Sequence, residues 1–358
     1  MKLLNNFFNT LLLIFVLSVS CTSDDREQAI VLPEGDYNQG LFILNEGGYG
    51  YSNASVSFLD TDGQVYNSIF SGVNNMNLGD TAQSMGFYGD NAYIVVNNSS
   101  TIEIVNRYTF QYIATVSDDI VNPRYIVFDG NKGYITNWGD PNNVNDDYVA
   151  VLNLDTNLVE YKIPVAEGPE KLVSNNGKIY VAHTGGYGYG NTISVIDIVS
   201  EKVISSIGVG DVPDDLLIDS DKLYVICSGK PDYALNETSG QLIKIGLSSG
   251  AVESELTFPQ IKHPRFLDID GGVLYYILEN SIYTVNTSNF QLPQTDLFSL
   301  AVSGVKTPYG FKIHENKIYI ADAKDYVSNG EVFIYNLTGE IQKKFTVQII
   351  PNSFYFNN

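Results

Sequence analysis

Histidine and cysteine are nearly missing from this chain: 3 His and 2 Cys in 358 residues. Two cysteines, Cys21 and Cys227, build no disulfide framework, and Cys227 in "LYVICSG" reads as a buried structural thiol among apolar neighbours. His183, His263 and His314 are scattered, and no Cys or His cluster has metal-ligand spacing. Neither a nucleophile motif nor a glycine loop opening a helix occurs, so the sequence argues against an enzyme and implies no metal or other cofactor. Basic residues are outnumbered, with Lys+Arg 20 against Asp+Glu 41. The resulting net charge of -21 repels phosphate backbones and excludes nucleic acid as a partner. Helix-favouring blocks are scarce, whereas 31 Gly, 25 Tyr and many β-branched residues describe short strands joined by tight turns.

The one long apolar run is N-terminal. "MKLLNNFFNTLLLIFVLSVSC" has a basic start and an apolar core from Leu11 to Val19, too short for a membrane span and suited to a secretory signal. Its ending resembles a bacterial lipobox, which implies removal of residues 1–20 and lipidation of Cys21. "SDD" at Ser23–Asp25 is similar to the acidic signal that sends some Gram-negative lipoproteins to the outer face of the outer membrane. Residues 21–38 are then a lipidated tether, the only membrane attachment expected, and 39–358 the folded domain.

Within that domain one short strand recurs: "LFILN", "AYIVV", "GYITN", "IYVAH", "LYVIC", "LYYIL" and "IYIAD". Their aromatic residues, Phe42, Tyr93, Tyr134, Tyr180, Tyr224, Tyr275 and Tyr319, are spaced by 51, 41, 46, 44, 51 and 44 residues. Such a period is that of a propeller or solenoid. Each copy continues through a variable loop into an alternating strand such as "TISVIDI", then a further strand such as "KVISSIGV". A proline then opens the next unit, at Pro123, Pro169, Pro213, Pro264, Pro308 and Pro351, where no ladder donor is lost. "PNSFYF" after Pro351 has no unit of its own to open and is expected to pair beside "LFILN". The chain is therefore read as all-β: a seven-bladed β-propeller of four-stranded antiparallel blades, its ring closed by the C-terminal strand pairing into blade one.

The pattern of proline, "KIYVA", "NTISVID" and "KVISSI" resembles the YVTN-type seven-bladed propellers over nearly all of the mature chain. "LFILNEGGYGYSNASVSFLD" and "LGDTAQSMGFYGDNAYIVVNNSSTIEIVN" are similar to the surface propeller lipoproteins that capture cobalamin beside a TonB-dependent outer-membrane transporter. That resemblance implies a cell-surface protein that binds a small molecule, a corrinoid being the named candidate, and passes it to such a transporter. An adhesive or scaffolding propeller that binds protein or glycan is the alternative, and a lactonase-like hydrolase the third.

The loop after each "IYVA" strand and the loop carrying each proline emerge on one face, and the long loops are concentrated there. "EGGYGYSN" and "TGGYGYGN" are two of them, in blades one and four. Aromatic ligand-binding candidates on this face are Tyr49, Tyr51, Trp138, Tyr187, Tyr189, Tyr233 and Tyr326, joined at the channel by Tyr125, Phe266 and Tyr309. Each tyrosine could equally fold down as a loop anchor. Polar candidates are Asp80, Gln83, Arg124, Glu170, Lys171, His183, Asp214, Asp215 and Arg265. Arginines at a channel mouth suit a phosphate or carboxylate, and suit blade-to-blade ion pairs as well.

Overall fold

The structure is a computed structural model that describes residues 35–357. The expected signal sequence, Cys21 and most of the expected tether lie outside the described residues. Tyr37, expected in the tether, has its ring edge-on against Phe58 at 5.1 Å and Phe110 at 5.8 Å, and its N–H donates to the Tyr108 carbonyl.

Seven four-stranded antiparallel sheets form the ring. In blade one the C-terminal strand Pro351–Asn357 is innermost and pairs with Gly40–Asn45, with Phe42 opposite Tyr355, closing the ring as the sequence implied. Proline heads the innermost strands Pro123–Asp129, Pro169–Asn175, Pro213–Asp219 and Pro308–His314, and Pro264 immediately precedes Arg265–Asp270. Two outermost strands are shorter than the repeat suggested, Val65–Tyr66 in blade one and Phe298–Ser299 in blade six. In blade one the chain leaves the sheet to form the helix Ile69–Asn74, which buries Ile69 and Phe70. In blade six Pro293 interrupts the approach, where it offers no ladder donor.

Seven buried clusters lie one at each junction between blades, and the repeated aromatic explains them. Alternate residues of a strand face opposite ways. Phe42 and Leu44 therefore pack toward blade two, while Leu41 and Ile43 pack toward blade seven. Tyr93, Tyr134, Tyr180, Tyr224, Tyr275 and Tyr319 fill the six remaining junctions in turn. Burying a side chain of this size contributes about 1.5–3 kcal/mol, so the sequence period is the period of junction filling.

Two further repeated devices shape the loop-rich face. The residue after the second strand donates its N–H to the residue before the innermost strand: Glu46 to Ile350, Asn97 to Thr81, Trp138 to Asn122, Thr184 to Gly168, Ser228 to Val212 and Ala323 to Thr307, all at 2.8–3.1 Å. Among those acceptors Thr81, Asn122, Gly168, Val212 and Ile350 have positive φ. Each innermost strand also breaks register near its first residue, as between Pro213 and Asp215 or Pro308 and Gly310. Such a bulge re-aims side chains.

Candidate functional site

The re-aimed side chains meet in a cavity of about 700 Å³ at the mouth of the channel. The first residue after the opening position of every blade lines it: Gln83, Arg124, Glu170, Asp214, Arg265, Tyr309 and Asn352. Tyr125, Lys171, Asp215, Phe266 and Ser353, one residue further on, line it as well. A third set comes from the position after the second strand, as Glu46, Asn97, Trp138 and Thr184 of blades one to four. Leu216, Leu217, Leu267, Phe311 and Phe354 make the apolar part of the wall.

Most charges at this wall are paired across blade junctions. Arg124 of blade three reaches Glu170 of blade four through two parallel bonds, Nε to Oε2 at 2.8 Å and Nη2 to Oε1 at 2.7 Å. The same guanidinium lies 4.2 Å over the Trp138 ring. Lys171 of blade four pairs with Asp215 of blade five, and the Asp215 carboxylate also accepts the Leu267 N–H at 3.1 Å. Asp214 faces Arg265 at 3.8 Å and accepts the Phe266 N–H at 2.8 Å, holding Phe266 at φ 60. Lys312 of blade seven reaches Asp268 of blade six at 3.0 Å. Burial lowers the affinity of Lys171 for its proton, but Asp215 and Asp214 outweigh this and its pKa is raised. Burial raises the Tyr125 phenol, so its hydroxyl stays neutral beside Gln83, whose amide donates to it at 3.3 Å.

Of the residues singled out from sequence, Tyr49, Gln83, Arg124, Trp138, Lys171, Asp214, Arg265, Phe266 and Tyr309 line the cavity. Tyr51, Tyr187, Tyr189, Tyr233 and Tyr326 do not, and stand on the surrounding loops. Tyr49, Tyr51, Tyr187 and Tyr233 are 76%, 79%, 67% and 84% exposed. Tyr187 packs edge-on against Trp138 at 5.7 Å, and Tyr326 against Tyr309 at 5.6 Å.

Asp80 and His183 are drawn into the framework. The Asp80 carboxylate accepts the Gly50 N–H at 2.9 Å and an Asn98 amide N–H at 3.0 Å, tying the first glycine loop to blade two. His183 is buried, with Nε2 2.8 Å from the Ser194 hydroxyl. It ends its strand at the position that Asn45, Asn137, Cys227 and Asp322 occupy in other blades, each of them fully buried. Burial pushes its pKa down to about 4, so it stays neutral.

Sequence reasoning passed over Glu46, Asn97, Thr184, Asp268, Lys312 and Asn352, although six of the seven blades already offered the register that identifies Asn352. Among the described residues, no group of three or more His, Cys, Asp or Glu side chains is arranged to hold a metal ion. No helix among them is long and apolar enough to cross a membrane.

Fold and site together define a seven-bladed β-propeller with a polar, aromatic-rimmed cavity on its loop-rich face. The chain belongs to the family described as "Domain of unknown function (DUF5074)", whose pattern matches residues 39–228, more than half of its length. No curated protein matches it. A quinonprotein alcohol dehydrogenase-like protein from Bacteroides thetaiotaomicron has a similar structure, with a TM-score of 0.65 at 12% identity over 90% of this chain and 79% of that one. A functionally unknown protein from Desulfotomaculum acetoxidans gives 0.64 at 12% identity, over 89% and 98%. BamB from Moraxella catarrhalis gives 0.53 at 13% identity, over 90% and 87%. At these identities the likeness is one of fold.

Proposed function

We propose that this protein is a cell-surface lipoprotein, anchored through Cys21 in the outer membrane and facing the exterior, that captures a small organic ligand in the mouth cavity. The observation that carries the reading is the cavity itself, to which every blade contributes the same strand position. Its wall combines apolar side chains, oriented polar groups and a tyrosine rim, which suits a broad ligand with polar edges. The sequence resemblance supports a corrinoid as that ligand and a TonB-dependent transporter as the receiver. The reading is one of binding without covalent chemistry, because the wall charges Arg124, Glu170, Lys171 and Asp215 are held in ion pairs.

Calorimetric titration of the purified protein with cyanocobalamin tests it. Saturable heat at micromolar protein is expected, and its absence removes the corrinoid. Cys21→Ala is expected to move the protein from the membrane fraction to the soluble one. A second reading, adhesion to a protein or glycan, is favoured by Tyr233 and Leu235, which project on one loop at 84% and 97% exposure. Partner binding that is lost in Tyr233→Ser/Leu235→Ser without any small ligand would support it over capture.

A further inference from the structure

The cavity wall carries five carboxylates, Glu46, Glu170, Asp214, Asp215 and Asp268, against four cations, Arg124, Lys171, Arg265 and Lys312. Four of the five carboxylates are matched, Glu170 with Arg124, Asp215 with Lys171, Asp214 with Arg265 and Asp268 with Lys312. Among the described residues, the one left without a cation within salt-bridge distance is Glu46. Its Oε1 accepts the Asn352 amide at 3.1 Å and its Oε2 accepts the Tyr309 hydroxyl at 3.3 Å, both neutral donors. The backbone around it is fixed: its N–H donates to Ile350 and its carbonyl accepts from Ala82. Glu46 is thus a preorganised acceptor in a partly desolvated wall, where a missing cation or strong donor is costly and supplying one is worth most.

We propose that Glu46 is the anchoring acceptor of the cavity, and that the ligand group it receives is a primary nitrogen donor, an ammonium or an amide NH2. The inference rests on the capture reading only in that a small ligand enters this cavity; it does not require a corrinoid. Burial raises the Glu46 carboxyl above its ordinary value, and Glu170 acts in the same direction, whereas Asn352, Arg124 and Tyr309 oppose. Of these, Arg124, Glu170 and Tyr309, from blades three, four and seven, are charged or titratable, and Asn352 of blade one is a neutral donor.

The test is calorimetry of the wild-type protein and Glu46→Gln with two probes, cyanocobalamin as a source of rim amides and spermidine as a source of ammonium groups. Saturable heat with at least one probe is expected, weakened tenfold or more by Glu46→Gln, as befits one charge-assisted hydrogen bond. The melting temperature of Glu46→Gln should stay within a few degrees of wild type, because the glutamine oxygen still accepts from the Asn352 amide and its NH2 can donate to the Tyr309 hydroxyl oxygen. Glu46→Thr, which installs the residue blade four carries as Thr184, gives a second variant and should lose binding equally. Heat with spermidine alone would discard the corrinoid and keep Glu46 as the anchor. Wild-type affinity in Glu46→Gln and Glu46→Thr, or no heat with either probe in wild type, would overturn the proposal.

Discussion

Removing the Glu170 side chain should reveal how much of this ring is held by charge. Glu170→Ala leaves the Arg124 guanidinium with only the Trp138 face and the cavity as neighbours, since both of its side-chain bonds go to Glu170. The two side chains are 16% and 10% exposed, so the pair resembles a buried ion pair far more than a surface one. Breaking a buried pair by deleting one partner costs about 3–5 kcal/mol, against at most about 1 kcal/mol for an exposed pair. Contact with the cavity places Glu170→Ala toward the lower figure, about 3 kcal/mol. Arg124→Met/Glu170→Leu should recover most of the loss, because no charge is then left uncompensated. Guanidinium unfolding of wild type, Arg124→Met, Glu170→Leu and the double variant, followed by far-UV circular dichroism at pH 7, gives the four corners of the double-mutant cycle, with an expected coupling of about 2–3 kcal/mol. A cost below about 1 kcal/mol for Glu170→Ala, together with coupling near zero, would refute the reasoning. The wall would then be as solvated as an ordinary surface.

Three further outcomes follow from single sites. Asp147 is buried, which raises its pKa to about 6, above the ordinary carboxyl value of about 3.8. The folded state therefore holds that proton more tightly, and stability should fall as pH rises from about 4 to 6; Asp147→Asn should flatten this segment of the pH–stability curve. His183 shows the opposite case, a folded pKa of about 4 below the ordinary 6.5. Its contribution is present above pH 6.5 and lost as pH falls toward 4, and His183→Asn should reduce that acid-side loss in urea midpoints while costing less than His183→Ala at pH 7. Gly168 has φ +64, and a Cβ there would lie 1.8 Å from the Gly186 nitrogen, so Gly168→Ala should cost about 2 kcal/mol or more in a thermal melt. The tetrad Tyr49→Ala, Tyr51→Ala, Tyr187→Ala and Tyr189→Ala should leave the melting temperature unchanged and weaken ligand heat. Unchanged heat would make the two tyrosine loops bystanders.

The ring was legible because its determinants are periodic. One aromatic per blade fills one junction, and one proline or its equivalent opens one innermost strand, so seven weak signals reinforce each other. The exceptions are local. Val65–Tyr66 and Phe298–Ser299 are short because the chain nearby forms the helix Ile69–Asn74 or carries Pro293, and neither has a counterpart in the other blades.

The site was legible only where residue type and repeat position agreed. Arg124, Glu170, Lys171, Asp214, Asp215 and Arg265 stand out in the sequence as charges at the proline turns, and in the fold they pair as Arg124 with Glu170, Lys171 with Asp215 and Arg265 with Asp214. His183 stands out in the sequence for its chemistry, and in the fold it ends a strand at a position where every other blade buries a side chain. Glu46 shows the converse. It opens "EGGYGYSN", where the tyrosines draw attention, yet it occupies the repeat position that Asn97, Trp138 and Thr184 also give to the cavity. The two glycine loops are not equivalent either. Gly50 of the first is tethered by the Asp80 carboxylate, and Tyr49 reaches the cavity directly. In the second, Gly186 lies against Gly168, and Tyr187 reaches the cavity only through Trp138, whose indole N–H is fixed on the Pro169 carbonyl at 3.0 Å. A duplicated loop sequence has thus been set into two different frameworks, and it is the framework, blade by blade, that decides which of its residues face the cavity.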